Sequence, residues 1–598
     1  MTISKRLAVL SALLFFSIFI RAQKSSLSFT VKMNNPEWHF FQVRLLCKGI
    51  KKDVIDFKMP VWTPGYYQKM DYAKNLQRLK ATDEAGHELK WEKTGDNTFR
   101  VFSKNANAVN LVYDIKTERS FVATPYVDES RAYILPAGVF LHIDKMINHP
   151  VQVTVIPDEK WNRVATGLDS VAGKKFTYTA PDFDILYDSP LLVGNLEELH
   201  PFYIRGIKHR FIGYKLGEFD REQFIVDLKR IVDASVNVIG HVPYKHYTFI
   251  AIGQGPGGIE HLNNTTFGFN GNNLNKRENY IRTLHFLAHE YFHHYNVKRI
   301  RPVELGPFNY DKGSRTKMLW ISEGLSVYYE YLVVRRAGVS TDAELLNALR
   351  GNILAFENKP GKRYQTLEQA SYETWSDGPF GRTGDEVNKT ISYYDKGPVV
   401  GMLFDFKIRQ ATHNKKSLDD VMRFLYKEYY QKKKRGFTEE ELKAAFELVA
   451  GTSLNEEYEY VTTTKELEYP KYFTYAGLRI DTSTVVLSTL YSGFTLRERD
   501  DSAFVATVDF ESSPWNAGLR RGQLVQKIND EKASNDLLNK TIAAAKPGDK
   551  ISLQILSNDQ TKTIEIILDK KKDRPFLIAT IGDPDPLQKQ ILDSWLKG

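Results

Sequence analysis

The chain has 598 residues, one cysteine (Cys47) and a formal net charge of +9. A single thiol excludes an intramolecular disulfide, and a chain of this length can bury enough apolar surface to do without one. The charge is mild for the length. The basic runs at 432–435 and 570–572 read as solvated faces, and no motif-backed basic patch argues for a nucleic-acid partner.

Lys5 and Arg6 precede a nearly unbroken apolar run at 7–20, and the small Ala22 follows. This pattern reads as a signal peptide over residues 1–22, with a mature start near Gln23. The alternative is an N-terminal anchor, for which the run is short, since spanning takes about 20 residues. No cysteine follows the run for lipid attachment, and no second long apolar run appears. An exported chain, periplasmic or secreted and with no stable membrane span, is therefore expected. Removing Lys5, Arg6 and Arg21 with the leader leaves a charge of +6.

Residues 23–195 alternate apolar and polar positions in short runs, at 27–31, 38–46, 109–115 and 150–156, and read as an all-β domain. Cys47 falls in such a run and is expected to be buried. Residues 59–67 (MPVWTPGYY) are too proline-rich for a central strand. Residues 196–335 hold a strand at 246–253, a glycine-rich loop at 254–261, and an amphipathic helix at 281–297. Residues 336–468 read as helical. Thr341/Glu344 and Thr438/Glu441 match capping boxes, and Pro398 suits the first turn of a helix over 399–411. From 469 to 580 short strands return, at 523–528, 551–556 and 562–568, with a helix at 537–545. Residues 581–598 read as a terminal helix. The fold class expected is multidomain α+β.

The helix at 281–297 contains His289-Glu290-Tyr291-Phe292-His293, an HExxH motif. Residues four apart share a helix face, so His289 and His293 can aim both imidazoles at one ion. Zinc takes neutral imidazole nitrogens readily. Glu290, a quarter turn away, is placed to act as a general base. His285 and His289 also stand four apart and form a rival pair, and a histidine-rich surface stripe is the plainest alternative. Downstream, Glu323 lies in an apolar, aromatic helical stretch (WISEGLSVYY), where a carboxylate is costly unless paired or bound to metal. Glu330, seven residues on, is its rival on the same face. The set His289, His293 and Glu323 leaves a fourth position open, as a catalytic zinc requires.

In their order along the chain, MPVWTPGYYQKMDYAKN (59–75), GGIEH (257–261), HEYFHHYNVKRIRP, WISEG and YYDKG resemble the glycyl aminopeptidase family of gluzincin metallopeptidases. The resemblance implies a thermolysin-like catalytic domain at 196–335, completed by the helical segment at 336–468. It also implies one zinc per chain on His289, His293 and Glu323, with Glu290 as base. In the larger related aminopeptidases a loop glutamate binds the substrate's free amino group. By that analogy Glu260 takes this role, with Gly257 and Gly258 letting the substrate backbone approach. A phosphate loop and a plain glycine turn are the alternatives. Tyr394 matches a tyrosine that donates to the tetrahedral oxyanion, with Tyr393 as its neighbour and rival. Residues 469–580 resemble a PDZ domain: Tyr475, Ala476, Gly477 and Leu478 match its carboxylate-binding loop, and SPWNAGLRRG (513–522) matches the motif before the next strand. Gln523 departs from the usual aspartate there.

The function these readings imply is zinc-dependent removal of N-terminal residues, small ones by resemblance, from peptide substrates, with a C-terminal peptide as a candidate PDZ ligand. The alternatives are a PDZ-assisted zinc endopeptidase and a non-catalytic peptide-binding protein.

Overall fold

A computed structural model describes residues 25–104, 106–380, 384–557 and 560–598. The signal-peptide reading of residues 1–22 lies outside the described residues. The chain divides into two compact units.

The first unit runs to Pro64, resumes over Met70–Glu197 and takes in Gly255–Gly257. Strand Ser26–Lys32 buries Leu27, Phe29 and Val31, and strand Phe40–Lys48 buries Phe41, Val43, Leu45 and Cys47. A period of two puts one face of each strand inward. Both belong to a seven-stranded sheet in which Leu27 opposes Val151 on a parallel neighbour and Cys47 on an antiparallel one. Two four-stranded sheets complete the unit. Cys47 is buried as expected, and burial pushes its thiol far above the usual range, so it stays neutral. Strand Val54–Lys58 stops before Met59-Pro60.

The second unit holds Gly65–Lys69, Glu198–Gln254 and Gly258–Gly598. Strands Ile207–Gly213, His246–Ala251 and Asn264–Phe267 run parallel, and Gly258–Glu260 pairs antiparallel with the last of them. The glycine-rich segment at 254–261, expected to be a loop, thus contains a short strand that ends on Glu260. Helix Arg277–Phe292 carries the HExxH motif. It begins four residues earlier than the apolar period predicts and ends at Phe292, with His293 as its cap. Tyr295 and Val297 remain buried after the chain has left the helix, so periodicity alone does not mark the end.

Glu323 lies in a π-helical turn, Trp320–Gly324, that leads into helix Leu325–Arg336. Helix Asp342–Glu357 follows, and both predicted capping boxes form. The helix expected over 399–411 starts at Tyr393, with the Ser392 hydroxyl accepting from the Tyr394 N–H. Pro398 therefore sits inside the helix rather than in its first turn. It is tolerated because the one carbonyl it leaves without a helical donor, that of Tyr394, accepts from Asn352 Nδ2 instead.

Near the C-terminus, Phe494–Arg499, Ser502–Val508, Leu524–Ile528, Lys550–Ser557 and Gln560–Ile567 form one antiparallel sheet. Val505, Leu519, Val525, Leu553 and Ile566 form its core. The last helix, Pro586–Lys597, returns to the helical region. Trp595 Nε1 donates to the Tyr328 hydroxyl at 2.7 Å, and that hydroxyl donates to buried Asp405 at 2.7 Å. Among the described residues no helix is long and apolar enough to cross a membrane.

Candidate metal centre

The HExxH helix and the π-helical turn bring three donors together. His289 Nε2 and His293 Nε2 are 2.8 Å apart, and Glu323 Oε2 is 3.6 Å from the first and 3.2 Å from the second. The outer ring nitrogen of His293 fixes its tautomer. His293 Nδ1 is 2.8 Å from the Asn296 carbonyl, which can only accept, so Nδ1 carries the proton. His289 Nδ1 lies 3.0 Å from Glu330 Oε2, an ion-pair distance without hydrogen-bond geometry. Two imidazole Nε2 atoms and a carboxylate oxygen therefore converge in a buried space. Zinc fits that donor set, which leaves a coordination position free. No other group of three such side chains lies close enough to hold a metal ion among the described residues.

The buried charges of the cluster act strongly on one another. Burial alone would lower the pKa of His289, but the Glu323 and Glu330 carboxylates hold it well above the usual range. Burial alone would raise Glu323, but His293 and His289 pull its carboxyl below the usual range. Glu290 is pushed up to about 7 by burial, partly offset by His289 and His293 and reinforced by Glu260 and Glu323. A carboxylate of that basicity suits proton transfer near neutral pH. Its seat needs a glycine: a Cβ on Gly258 would lie 2.5 Å from Glu290 Oε1. Gly257 has φ of +85°, a backbone state glycine adopts freely, and belongs to the first unit.

Tyr394 donates from its hydroxyl to Glu323 Oε2 at 3.0 Å, while the Tyr393 hydroxyl pairs with Thr374 Oγ1 at 3.1 Å. Of the two candidates, then, Tyr394 faces the cluster of His289, His293 and Glu323. Burial, with Glu323 beside it, pushes its phenol well above the usual range and keeps it a proton donor. Glu260 is 3% exposed, its Oε1 has no hydrogen-bond donor, and Lys298 Nζ is 3.9 Å from that atom. Gly65, at φ +90°, lies against the same carboxylate: a Cβ there would be 2.8 Å and 3.0 Å from its two oxygens. The charge of Glu260 is felt at Glu290 and His293.

The remaining histidines are not ligands. His285 packs on the Tyr331 ring and burial lowers its pKa to about 4; His294 packs among Tyr244, Tyr291 and Tyr295. Glu330 is not a competing ligand but stands behind His289. Sequence reasoning missed Tyr67, whose buried phenol lies beside Glu323 and Glu260. It also missed Asn296, whose Nδ2 donates to the Ile321 and Ser322 carbonyls just before Glu323. Neither carries a spacing signal, since each acts through tertiary contacts.

The loop Tyr475-Ala476-Gly477-Leu478 is corrected. Its N–H groups are not free for a peptide carboxylate. Those of Ala476 and Gly477 close helix Tyr469–Tyr475 by donating to Phe473 and Thr474, both at 3.0 Å. The Gly477 carbonyl accepts from Ile581, and Leu478 opens a strand paired with Leu577–Thr580. A helix C-terminus ending in a left-handed glycine has the same letters as such a loop.

The family model described as the peptidase M61 N-terminal domain matches residues 28–195, and that of the M61 glycyl aminopeptidase matches residues 282–400. No curated protein matches the chain by sequence. Among solved structures, an aminopeptidase N family protein from Idiomarina loihiensis superposes with a TM-score of 0.86 at 21% identity, covering 96% of this chain and 100% of that one. Looser likenesses are an M1 zinc metallopeptidase from Deinococcus radiodurans, crystallised with a Tyr-Ser-Ala substrate (TM-score 0.47, 16% identity, 74% of this chain and 94% of that one), and Legionella pneumophila aminopeptidase A with aspartic acid (0.48, 11%, 93% and 57%). The first likeness shows a shared fold over nearly the whole chain. The two M61 models match in order, the second taking in the HExxH motif, Glu323 and Tyr394, so the chain carries the domains that those models describe and is a zinc metallopeptidase.

Proposed function

We propose that this enzyme removes single N-terminal residues from peptides, with one zinc per chain on His289, His293 and Glu323. Bound there, zinc would supply Lewis acidity toward the scissile carbonyl. Glu290, with its raised basicity, takes the proton of the attacking water and delivers it to the leaving amine. The Tyr394 phenol donates to the oxyanion as the carbonyl becomes tetrahedral; a donor placed in advance is worth about 2.7–4 kcal/mol in other enzymes. Glu260 receives the substrate's terminal ammonium, and the narrow seat beside Gly258 admits the peptide backbone. A preference for glycine or alanine at the first position rests on the family resemblance.

The observation that carries the exopeptidase reading is the buried Glu260 oxygen without a hydrogen-bond donor, close enough to Glu290 to raise its pKa. Lys298 stands 3.9 Å from that oxygen without donating to it, and a substrate ammonium would supply the hydrogen bond it lacks. The test is Glu260→Gln on free aminoacyl substrates. Losing a buried charge pair predicts a fall in kcat/KM of roughly 30-fold or more with bound zinc unchanged. Unchanged kcat/KM would remove Glu260 from amine recognition and favour the endopeptidase.

Residues 485–573 are proposed to form a PDZ-type module. Strand Val485–Tyr491 pairs with Asp569–Asp573, and helix Asn535–Ala544 packs beside it, so a peptide would bind as a strand added there. The basic start and apolar run at 5–20 support export to the periplasm or beyond.

A further inference from the structure

The helix that carries Tyr394 has a proline in its second turn. Pro398 has no N–H, so the carbonyl four residues before it, that of Tyr394 itself, lacks its regular helical donor. The missing donor comes from another helix: Asn352 Nδ2, on Asp342–Glu357, donates to the Tyr394 carbonyl at 3.1 Å. Asn352 Oδ1 accepts in turn from the Tyr331 hydroxyl at 3.0 Å. Tyr331 lies on Leu325–Arg336, next to Glu330 and continuous with the turn that carries Glu323. A side-chain amide offers a donor and an acceptor at once, and this one uses both. Beside it, Lys359 Nζ pairs with Asp395 at 2.7 Å.

Besides the Tyr328–Asp405 bond further along, the helices of Glu323 and Tyr394 are therefore joined twice around Tyr394 itself. One link is direct, from the Tyr394 hydroxyl to Glu323. The other runs from Tyr331 through Asn352 to the Tyr394 main chain. We infer that Asn352 is a positioning residue for the reaction: by satisfying the carbonyl that Pro398 strands, it fixes the Tyr394 backbone and so aims the phenol. This rests on the reading of Tyr394 as the oxyanion donor. A donor that tightens only in the transition state loses rate when its aim loosens, so the effect belongs in kcat rather than KM.

The test uses the zinc-loaded full chain with Asn352→Ala, Tyr394→Phe and Pro398→Ala, singly and in pairs. Asn352→Ala is expected to lower kcat roughly tenfold, as for one lost hydrogen bond to a working group, with KM and bound zinc unchanged. It should add nothing in the Tyr394→Phe background. Pro398→Ala should restore kcat in the Asn352→Ala enzyme, because alanine returns the helical N–H to the Tyr394 carbonyl. Should Asn352→Ala fail to fold, Asn352→Asp keeps the size and the acceptor for Tyr331 but loses the donor, and the same fall is expected. An Asn352 effect that persists undiminished with Tyr394→Phe, or that Pro398→Ala does not rescue, overturns the inference. If Tyr394→Phe alone leaves kcat intact, the oxyanion role falls and the inference with it. A large Tyr394 effect beside a silent Asn352→Ala removes the inference alone.

Discussion

Gly324 and Gly397 meet backbone to backbone. A Cβ on Gly324 would lie 2.7 Å from the Gly397 Cα, and a Cβ on Gly397 would lie 2.7 Å from the Gly324 Cα. The first glycine follows Glu323 and the second lies three residues after Tyr394. The contact therefore sets the distance at which the phenol reaches the carboxylate. Neither glycine has a positive φ, so the requirement is for space and not for an unusual backbone. Gly324→Ala and Gly397→Ala are each expected to destabilise by roughly 1–3 kcal/mol through overpacking and to lower turnover. Urea unfolding beside turnover measurements checks this. A variant of full stability and full activity would show that the helices can separate without consequence.

Glu330 lies 3.0 Å from the outer nitrogen of His289 and faces the ring from behind. Glu330→Ala should weaken zinc binding about 10–100-fold, as for other outer partners of ligating histidines. Competition with a chromophoric chelator measures it. Unaltered affinity would mean that helix packing alone orients His289.

The two candidate histidine ligands were legible because HExxH is a statement about one helix, and Glu323 because the family resemblance implies a third ligand there and a carboxylate in an aromatic stretch is costly unless paired. Strands around Leu27, Cys47 and Ile551 were legible from alternation. What stayed hidden depends on partners distant in sequence. Nothing local distinguishes Tyr67 or Asn352 from other polar residues, or shows that the Tyr394 carbonyl could excuse Pro398 from ending a helix. Tyr475–Leu478 misled for a related reason: a tyrosine, a small residue and a glycine close a helix as readily as they open a carboxylate loop.

Glu368 shares a hydrogen bond with Glu439 and is half-shielded from water, which together push its carboxyl up to about 7, burial being the larger cause and Lys317 a partial offset. A carboxyl whose pKa is raised on folding binds more protons folded than unfolded between its two pKa values. Its favourable contribution is complete below the unfolded value and is lost as pH rises through about 7. Glu368→Gln should therefore stabilise the protein at pH 8, and the gain should shrink steadily as pH falls toward the ordinary glutamate range. Thermal unfolding across pH tests this. A gain that does not depend on pH would show that the pair does not titrate in this way.

Trp595 is fully buried and its indole N–H donates to Tyr328, so the terminal helix forms part of the core behind Glu323. Trp595→Ala should cost about 3–5 kcal/mol, the range for emptying an aromatic site. Denaturant unfolding measures it. A loss below 1 kcal/mol would place the helix on the surface.

The central claim is that Glu290, beside a zinc held by His289, His293 and Glu323, drives hydrolysis next to a free amino terminus. The most direct measurement compares aminoacyl chromogenic substrates with N-acetylated peptide counterparts, using protein with one zinc bound, alongside Glu290→Gln. The account predicts cleavage of the free-amino substrates only, abolished by Glu290→Gln while zinc stays bound. Cleavage of the blocked peptides, or turnover that survives in Glu290→Gln, would contradict it.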